Sequence, residues 1–286
     1  MCGILGRFLT VSSNDDSDII HPIYTALDRE LFPGPRLKVE RAQSHIADLE
    51  ALFHSFIRDN PHRIEVHENA DTPGLKIRGV FDKPLPPIAA TIIGDAIHNL
   101  RTALDHLACR LVEHSGGECT RWTGFPIYET EADLDGGIAS KLCGTPDEIR
   151  DLVKSIKPYK TDRAGRAGNF LIRGLSKLDD MDKHLLLIPT ISVVSLRNIR
   201  VTAPDGSTIL IVGELNVSGD GNVDVVAVGG SGLKFEADSQ ATFDVFFANT
   251  EILDGHQVIE TLTRTSDAVS DIIDLFEAHY RRGDAT

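Results

Sequence analysis

The stretch GDAIHNLRTALDHLACRLV, residues 94–112, places the strongest constraint on how this chain can fold. Its apolar side chains recur at spacings of three and four residues, which is the period of one face of an α-helix. A helix is predicted from about Ile88 to His114, ending at Gly116 and Gly117, where a left-handed C-terminal cap forms easily. Such an apolar face packs against another helix. Its members are Ile93, Ile97, Leu100, Leu104, Leu107 and Leu111.

Further apolar repeats of the same period predict the helices that surround this central helix. Long helices are expected from Arg36 to Arg58 and from about Asp254 to Arg282, and short helices at 146–156 and 166–181. The helix at 36–58 is the simplest partner for the apolar face of the central helix.

Two parts of the chain show patterns typical of β-strands. The segments HRIEVHE and LKIRGVF flank the turn signal NADTPG, which predicts a β-hairpin at about 62–81. From Leu185 to Phe247, β-branched runs separated by PDG and GDGN predict an antiparallel β region. The predicted fold class is therefore α+β, with a helical bundle that carries an inserted β-hairpin, followed by an antiparallel β region and a C-terminal helix packing back.

These elements divide the chain into three parts. Residues 1–35 combine the polar stretch SSNDDSD with the turn signal FPGP, which predicts a loosely attached N-terminal arm outside the core. Residues 36–184 form the predicted helical bundle with its hairpin. Residues 185–286 form the predicted β region together with the C-terminal helix.

Charge and apolar content limit the classes of partner. The chain has 29 basic and 43 acidic residues and a net charge of -14, so as a whole it repels phosphate backbones and anionic membranes. No apolar run approaches the length of a membrane span, and the N-terminal stretch CGILGRFLTV is interrupted by Arg7, unlike a signal peptide. We therefore expect a cytoplasmic protein without a membrane partner.

The cysteines and histidines lack the spacings of common metal and redox sites. The four cysteines include no C-x-x-C pair, and an intracellular chain of this size does not need disulfides, so all four are predicted to be free thiols. No H-x-x-x-H or H-E-x-x-H pair occurs. No bound metal and no cofactor are expected.

The side of the central helix opposite its apolar face has an unusual composition. Neither Lys nor Glu occurs between Pro84 and Val112, although a solvated helix face is normally rich in both. Short polar side chains predict instead a helix covered on most of its circumference, whose polar groups need partners inside the fold. These groups are Asp95, His98, Asn99, Thr102, Asp105 and His106, with Arg101 at the border.

The polar side of the central helix is interpreted first as structural. Arg101 can pair with Asp105, which follows one turn later, and His98 can form a hydrogen bond within the bundle. In this interpretation the polar groups hold the helices together and take no part in a reaction.

A second interpretation brings in the segment LDDMDKH, residues 178–184. Its carboxylates fall at the end of a predicted helix, where the macrodipole disfavours negative charge, so another group must compensate them. Protonated His184 would cap the last carbonyls of that helix. Alternatively, Asp182 and His184 face the polar side of the central helix and complete a functional site.

The order of several short motifs resembles a widespread group of uncharacterised bacterial proteins. These motifs are IIGDAIHNLRTALDHLACRLV, then FPI, KPY and LDDMDKH with an apolar strand after it. The resemblance covers roughly residues 36–280 and implies one fold across them. It implies no activity, because that group has none assigned.

A further resemblance concerns Arg101 and His106, which form the pattern R-x4-6-H on a long helix. They resemble the HEPN superfamily of helical, often dimeric, metal-independent ribonucleases. The resemblance implies that His106 exchanges a proton with a ribose 2′-hydroxyl, that Arg101 clamps the phosphate and that Asp105 belongs to the same catalytic set. Five residues place Arg101 and His106 about 140° apart on one helix, so a two-fold homodimer would combine them on RNA.

Three functions therefore remain open. The first is a binding or regulatory module for an unknown ligand or protein, in which a buried polar network on the central helix gives packing specificity. The second is the HEPN-like ribonuclease, with RNA as its substrate. The third is a metal-dependent hydrolase that uses His98, Asp105 or His106 together with Asp182 and His184.

Overall fold

A computed structural model describes most of the chain. The described residues are 31–59, 62–68, 75–160, 168–187, 189–197, 199–202, 205–211, 223–225, 234–236, 240–248, 250 and 252–283. Most of the predicted N-terminal arm, residues 1–30, lies outside them.

Six α-helices occur in this described part of the chain. They are α1 (Pro33–Asp59), α2 (Ile88–His114), α3 (Glu131–Lys141), α4 (Asp147–Ile156), α5 (Phe170–Asp182) and α6 (Val258–Gly283). The central helix α2 has the predicted bounds, and Gly116 beyond it has a left-handed φ of 81°. None of these helices is both long and apolar enough to cross a membrane.

Within the described residues, eight short strands form three antiparallel sheets. They are β1 (His62–Glu68), β2 (Leu75–Phe81), β3 (Pro189–Arg197), β4 (Ile199–Thr202), β5 (Thr208–Ile211), β6 (Val223–Val225), β7 (Lys234–Glu236) and β8 (Gln240–Phe247). The predicted hairpin is β1–β2, paired from His62 opposite Phe81 to Glu68 opposite Leu75, and β6 adds to its β2 edge. The strand β3 pairs with β8, and β4 lies between β5 and β7. The α+β fold class is confirmed.

The core of the bundle forms around the apolar face of α2. All six apolar residues predicted for that face are fully buried. Helix α2 packs most extensively against α1, as predicted, and also contacts α5 and α6. Burial of each such side chain contributes about 1.5 to 3 kcal/mol relative to exposure, so this stripe stabilises the bundle substantially.

The N-terminal edge of the bundle lies earlier in the chain than predicted. Helix α1 begins at Pro33, where a fixed φ suits the first helical turn, and so FPGP opens the helix and does not end an arm. Phe32 is fully buried, with its ring 5.8 Å from His114 and 5.9 Å from Tyr280 between centroids. Residues 31–35 therefore belong to the bundle.

The helix α3 lies between the helices predicted at 88–114 and 146–156, in a region where the sequence pattern predicts a loop. Its first turn is capped by the hydroxyl of Thr130, which accepts the backbone N–H of Asp133. Gly137 allows the ring of Tyr128 to lie against the helix, because a Cβ atom added there would overlap that ring. This contact compensates for the low helix propensity of glycine.

The prediction of four free thiols is wrong for Cys109 and Cys119. Cys109 lies on α2 and Cys119 lies in the loop after it, and the turn at 115–117 brings their Cα atoms within 5.0 Å, where they form a disulfide. Cys143 is exposed and free. Disulfides are rare in a reducing cytosol, so this bond does not favour the predicted cytoplasmic location.

Candidate functional site

Arg101 and Asp105 both bind the backbone of one residue in the loop after α2. Asp105 Oδ1 accepts the N–H of Phe125 at 2.9 Å, and Arg101 Nη2 donates to the carbonyl of Phe125 at 3.2 Å. Arg101 Nη2 also lies 3.0 Å from Asp105 Oδ1, which is the predicted pair one turn apart. We call this arrangement the Arg101–Asp105 clasp.

The clasp depends on close approach of the loop to α2. A Cβ atom added at Gly124 would lie 3.0 Å from Asp105 Oδ1, so glycine leaves room for the carboxylate to reach the next amide. The ring of Phe125 is buried in the core. The clasp therefore satisfies the backbone of a buried loop residue, and this is a structural role.

His106 lies on a different side of α2 from the clasp. A Cβ atom added at Gly34 would lie 3.4 Å from His106 Nδ1, so the first turn of α1 runs beside the ring. Partial burial lowers the pKa of His106, and the positive charges of Lys38 and Arg110 lower it further, while Asp105 opposes them. The neutral imidazole is therefore favoured at neutral pH.

The structure does not bring Arg101 and His106 to one place on this chain. Arg101 contacts the loop at Phe125, whereas His106 lies beside the start of α1. Their separation follows from the helix geometry that places positions five residues apart on different sides.

A third set of polar groups joins α2 to the end of α5. His98 Nδ1 lies 3.1 Å from Asp179 Oδ1, and Lys183 Nζ lies 2.7 Å from Asp179 Oδ2. The Asp179 side chain is only 5% exposed, whereas that of His98 is 62% exposed. The hydroxyl of Thr102 lies 3.5 Å from His98 Nε2. A buried carboxylate thus holds an exposed imidazole in position.

Asp182 lies over the backbone of α2. A Cβ atom added at Gly94 would be 2.4 Å from Asp182 Oδ2, so only glycine leaves room for this carboxylate. Burial raises the pKa of Asp182, and the negative charges of Asp179 and Asp95 raise it further, while His98 lowers it. Asp182 therefore faces the polar side of α2, as one of the sequence interpretations supposed.

The expectation that α2 is covered on most of its circumference, with its polar groups inside the fold, is wrong for Asp95, His98 and His106, which are all exposed. The loop at Phe125 and the end of α5 cross parts of the polar side, and Arg101 and Asp105 are partly buried there. The amino-acid composition of a helix face shows whether it resembles a lysine-rich, fully solvated surface. It does not show whether a face of another composition is fully or only partly covered by the rest of the protein.

Lys183, and not His184, compensates the carboxylates at the end of α5. Besides its contact with Asp179, the ammonium group of Lys183 lies 3.5 Å from Asp180 Oδ1. The ring of His184 is exposed and forms no hydrogen bond with the residues that the structure describes. The spacing of Lys183 four residues after Asp179 is a helical ion-pair spacing that could have identified it from sequence.

Metal-ligand geometry is not found at these positions. Among the residues placed by the structure, no group of three or more His, Cys, Asp or Glu side chains could hold a metal ion. One open cleft of about 400 Å³ lies between α3 and α4, where Lys154 Nζ and Asp135 Oδ1 are 2.8 Å apart. The predicted site residues do not line this cleft.

Comparisons with known proteins identify no relative. No protein-family model matches the chain, and neither the curated proteins nor the solved structures contain a match. Both resemblances drawn from short motifs therefore stay predictions.

Proposed function

We propose that this protein is a non-enzymatic binding or regulatory module that contacts a ligand or partner protein through the polar side of α2. One observation carries the proposal. The guanidinium and carboxylate groups that a phosphate-cleaving site would need, those of Arg101 and Asp105, are both engaged by the backbone of Phe125. They stabilise the scaffold, and other polar groups on α2 face the solvent.

The exposed groups are held on rigid elements, as recognition requires. His98 is open to solvent, yet its ring is oriented by the buried carboxylate of Asp179. Asp95 is exposed one turn earlier on α2, and Asp182 lies beside it over Gly94. Groups fixed in this way lose little conformational freedom when a partner binds.

A positive test uses the photo-cross-linking residue benzoylphenylalanine in place of His98. Irradiation in cell extract is expected to give a discrete adduct that excess unlabelled wild-type protein suppresses. The matched control carries the same residue in place of Glu148, which is exposed on α4. Equal adduct patterns from both positions contradict the proposal.

One observation supports the HEPN-like ribonuclease as a second candidate. His106 is exposed and its pKa is lowered, which favours the neutral form that a general base requires. In this candidate RNA is the substrate, and Arg101 of one protomer acts beside His106 of a second in a homodimer. Arg101 Nη1 is buried and has no hydrogen-bond partner among the described residues, so in this conformation it is not open to a phosphate.

Cleavage of single-stranded RNA without divalent metal separates the two candidates. The binding module predicts no cleavage by the wild type, and a lower melting temperature for Arg101→Ala because the clasp is lost. The ribonuclease predicts wild-type cleavage that disappears in Arg101→Ala and in His106→Ala at unchanged melting temperature. Cleavage that is lost in both variants at unchanged melting temperature would contradict the proposal of a non-enzymatic binding module.

A further inference from the structure

Three large aliphatic side chains are exposed near the junction of α2 and α5. Ile88 is 54% exposed, Leu185 is 67% exposed and Leu186 is 61% exposed. Single exposed apolar residues are common on protein surfaces, but neighbouring ones indicate an interaction site. Whether these three are neighbours depends on how the two helices are aligned.

The alignment of α2 and α5 follows from two contacts. His98 pairs with Asp179, and Gly94 lies under Asp182, so the helices run antiparallel. The N–H of Leu185 donates to the carbonyl of Met181 at 2.8 Å, which continues the helical turn beyond Asp182. One more turn in this register brings Leu185 level with the first turn of α2, where Ile88 lies.

The same region carries carboxylates that lack a cationic partner. Asp95 follows Ile88 by seven residues, or two turns, and therefore lies on the same face of α2. Neither Asp95 nor Asp182 forms an ion pair with Lys or Arg in the described part of the chain, whereas Asp179 and Asp180 are paired with Lys183.

We define the edge surface as Ile88, Asp95, Asp182, Leu185 and Leu186. We propose that the edge surface docks a segment of another protein in which Lys or Arg side chains stand next to leucine-like side chains. This inference rests on the proposed binding function and specifies its partner. The aliphatic groups supply buried apolar area, and the two carboxylates pair with the partner's cations.

Charge decides among the occupants of this surface. Nucleic acids and anionic lipids are repelled by the carboxylates of Asp95 and Asp182 and by the net charge of -14. In a two-fold contact with a second copy, the same surface would face itself and bring like charges together. A basic segment meets neither penalty.

The test measures binding of a fluorescein-labelled peptide with leucine and lysine at helical spacing, followed by fluorescence anisotropy. One control peptide replaces leucine with serine, and another replaces lysine with glutamate. The edge variants are Leu185→Ser/Leu186→Ser and Asp95→Asn/Asp182→Asn. The matched variants are Leu37→Ser, a half-exposed leucine on α1, and Asp147→Asn, an exposed carboxylate on α4.

The expected result is binding of the leucine–lysine peptide that each edge variant weakens about tenfold or more. The matched variants bind within about twofold of wild type, and both control peptides bind more weakly. Hydrogen exchange slows at residues 183–187 when the peptide is present. Circular dichroism melting checks that every variant is folded. Folding is expected because the substituted leucines and Asp95 are exposed and Asp182→Asn keeps the size of the side chain.

Several outcomes overturn the inference. Equal binding by the edge variants and wild type shows that the peptide binds elsewhere. Equal binding of the serine–lysine peptide shows attraction by net charge alone. A wild-type dimer in analytical ultracentrifugation that Leu185→Ser/Leu186→Ser dissociates shows that a second copy occupies the surface. Failure of peptide binding, while the adduct at position 98 persists, overturns this inference and leaves the proposed function intact, whereas loss of both removes both.

Discussion

Asp105 and Phe125 are joined by a hydrogen bond of 2.9 Å between residues twenty positions apart in the chain. Arg101 completes the contact by donating to the carbonyl of the same phenylalanine. Both backbone polar groups of one buried residue are thereby satisfied by one helical ion pair. Arg101 and Asp105 have the four-residue spacing of an ordinary ion pair on a helix surface, but here they join the helix to a distant loop.

Removal of the clasp is expected to destabilise the protein measurably. Asp105→Ala leaves the N–H of Phe125 without its acceptor and removes the carboxylate that pairs with Arg101, which costs about 1 to 3 kcal/mol of unfolding free energy. Urea denaturation measures that loss, and hydrogen exchange at the amide of Phe125 should accelerate. Glu113→Ala is the matched control because it breaks the exposed Arg110–Glu113 pair, and it should change stability by less than about 0.5 kcal/mol. Equal effects of the two substitutions would contradict a role for the clasp.

Gly94 and Asp182 are expected to be energetically coupled. Alanine is intrinsically better than glycine inside a helix by about 1 kcal/mol, and Gly136→Ala should gain this because nothing lies within 4 Å of its added Cβ. Gly94→Ala should gain less, because its Cβ must displace the carboxylate of Asp182. In an Asp182→Ala background, Gly94→Ala should recover the full gain. A double-mutant cycle by chemical denaturation measures the coupling, and additive effects would show that the two residues do not interact.

The raised pKa of Asp182 predicts a specific dependence of stability on pH. Burial and the nearby carboxylates make the folded protein hold the Asp182 proton more tightly than the unfolded chain does. The pKa of Asp182 is about 4 in the unfolded chain and higher in the folded protein. The free energy of unfolding therefore falls as pH rises from the lower to the higher of these two pKa values, and the loss is complete above the higher one.

Asp182→Asn removes this titration and should raise the melting temperature at about pH 7, with a gain that shrinks towards about pH 4. Asp147→Asn serves as the control because Asp147 is almost fully exposed, and it should alter melting little at either pH. A gain for Asp182→Asn that is independent of pH would show that ionisation is not its cause.

The Cys109–Cys119 bond is expected to stabilise the exit from α2. In the chain-entropy account a loop with a sequence separation of 10 contributes about 2 to 3 kcal/mol, so dithiothreitol should lower the melting temperature. Cys119→Ser should melt like the reduced wild type and should not respond to dithiothreitol. Thiol titration of the unfolded protein should rise by two groups on reduction. An unchanged thiol count would show that the two cysteines are not bonded.

Local periodicity was sufficient for the long helices and the hairpin. The apolar stripe of α2 repeats over about five turns from Ile93 to Leu111, and the glycines after the helix mark its end. Helix α3 was not predictable in the same way. Gly136 and Gly137 lower its intrinsic helix propensity, and its stability includes packing of Tyr128, which lies outside the helix, against Gly137.

For the site, the chain's sequence by itself determined which polar groups share one side of α2 and that Arg101 and Asp105 can pair, because helical spacing sets both. Tertiary structure alone decided that Phe125 joins that pair, that Asp182 lies on Gly94, and that Arg101 and His106 contact different segments. It also left His98 and His106 exposed although the composition of α2 predicts burial. The physical reason is that periodicity describes one helix, whereas coverage depends on which distant segments cross it.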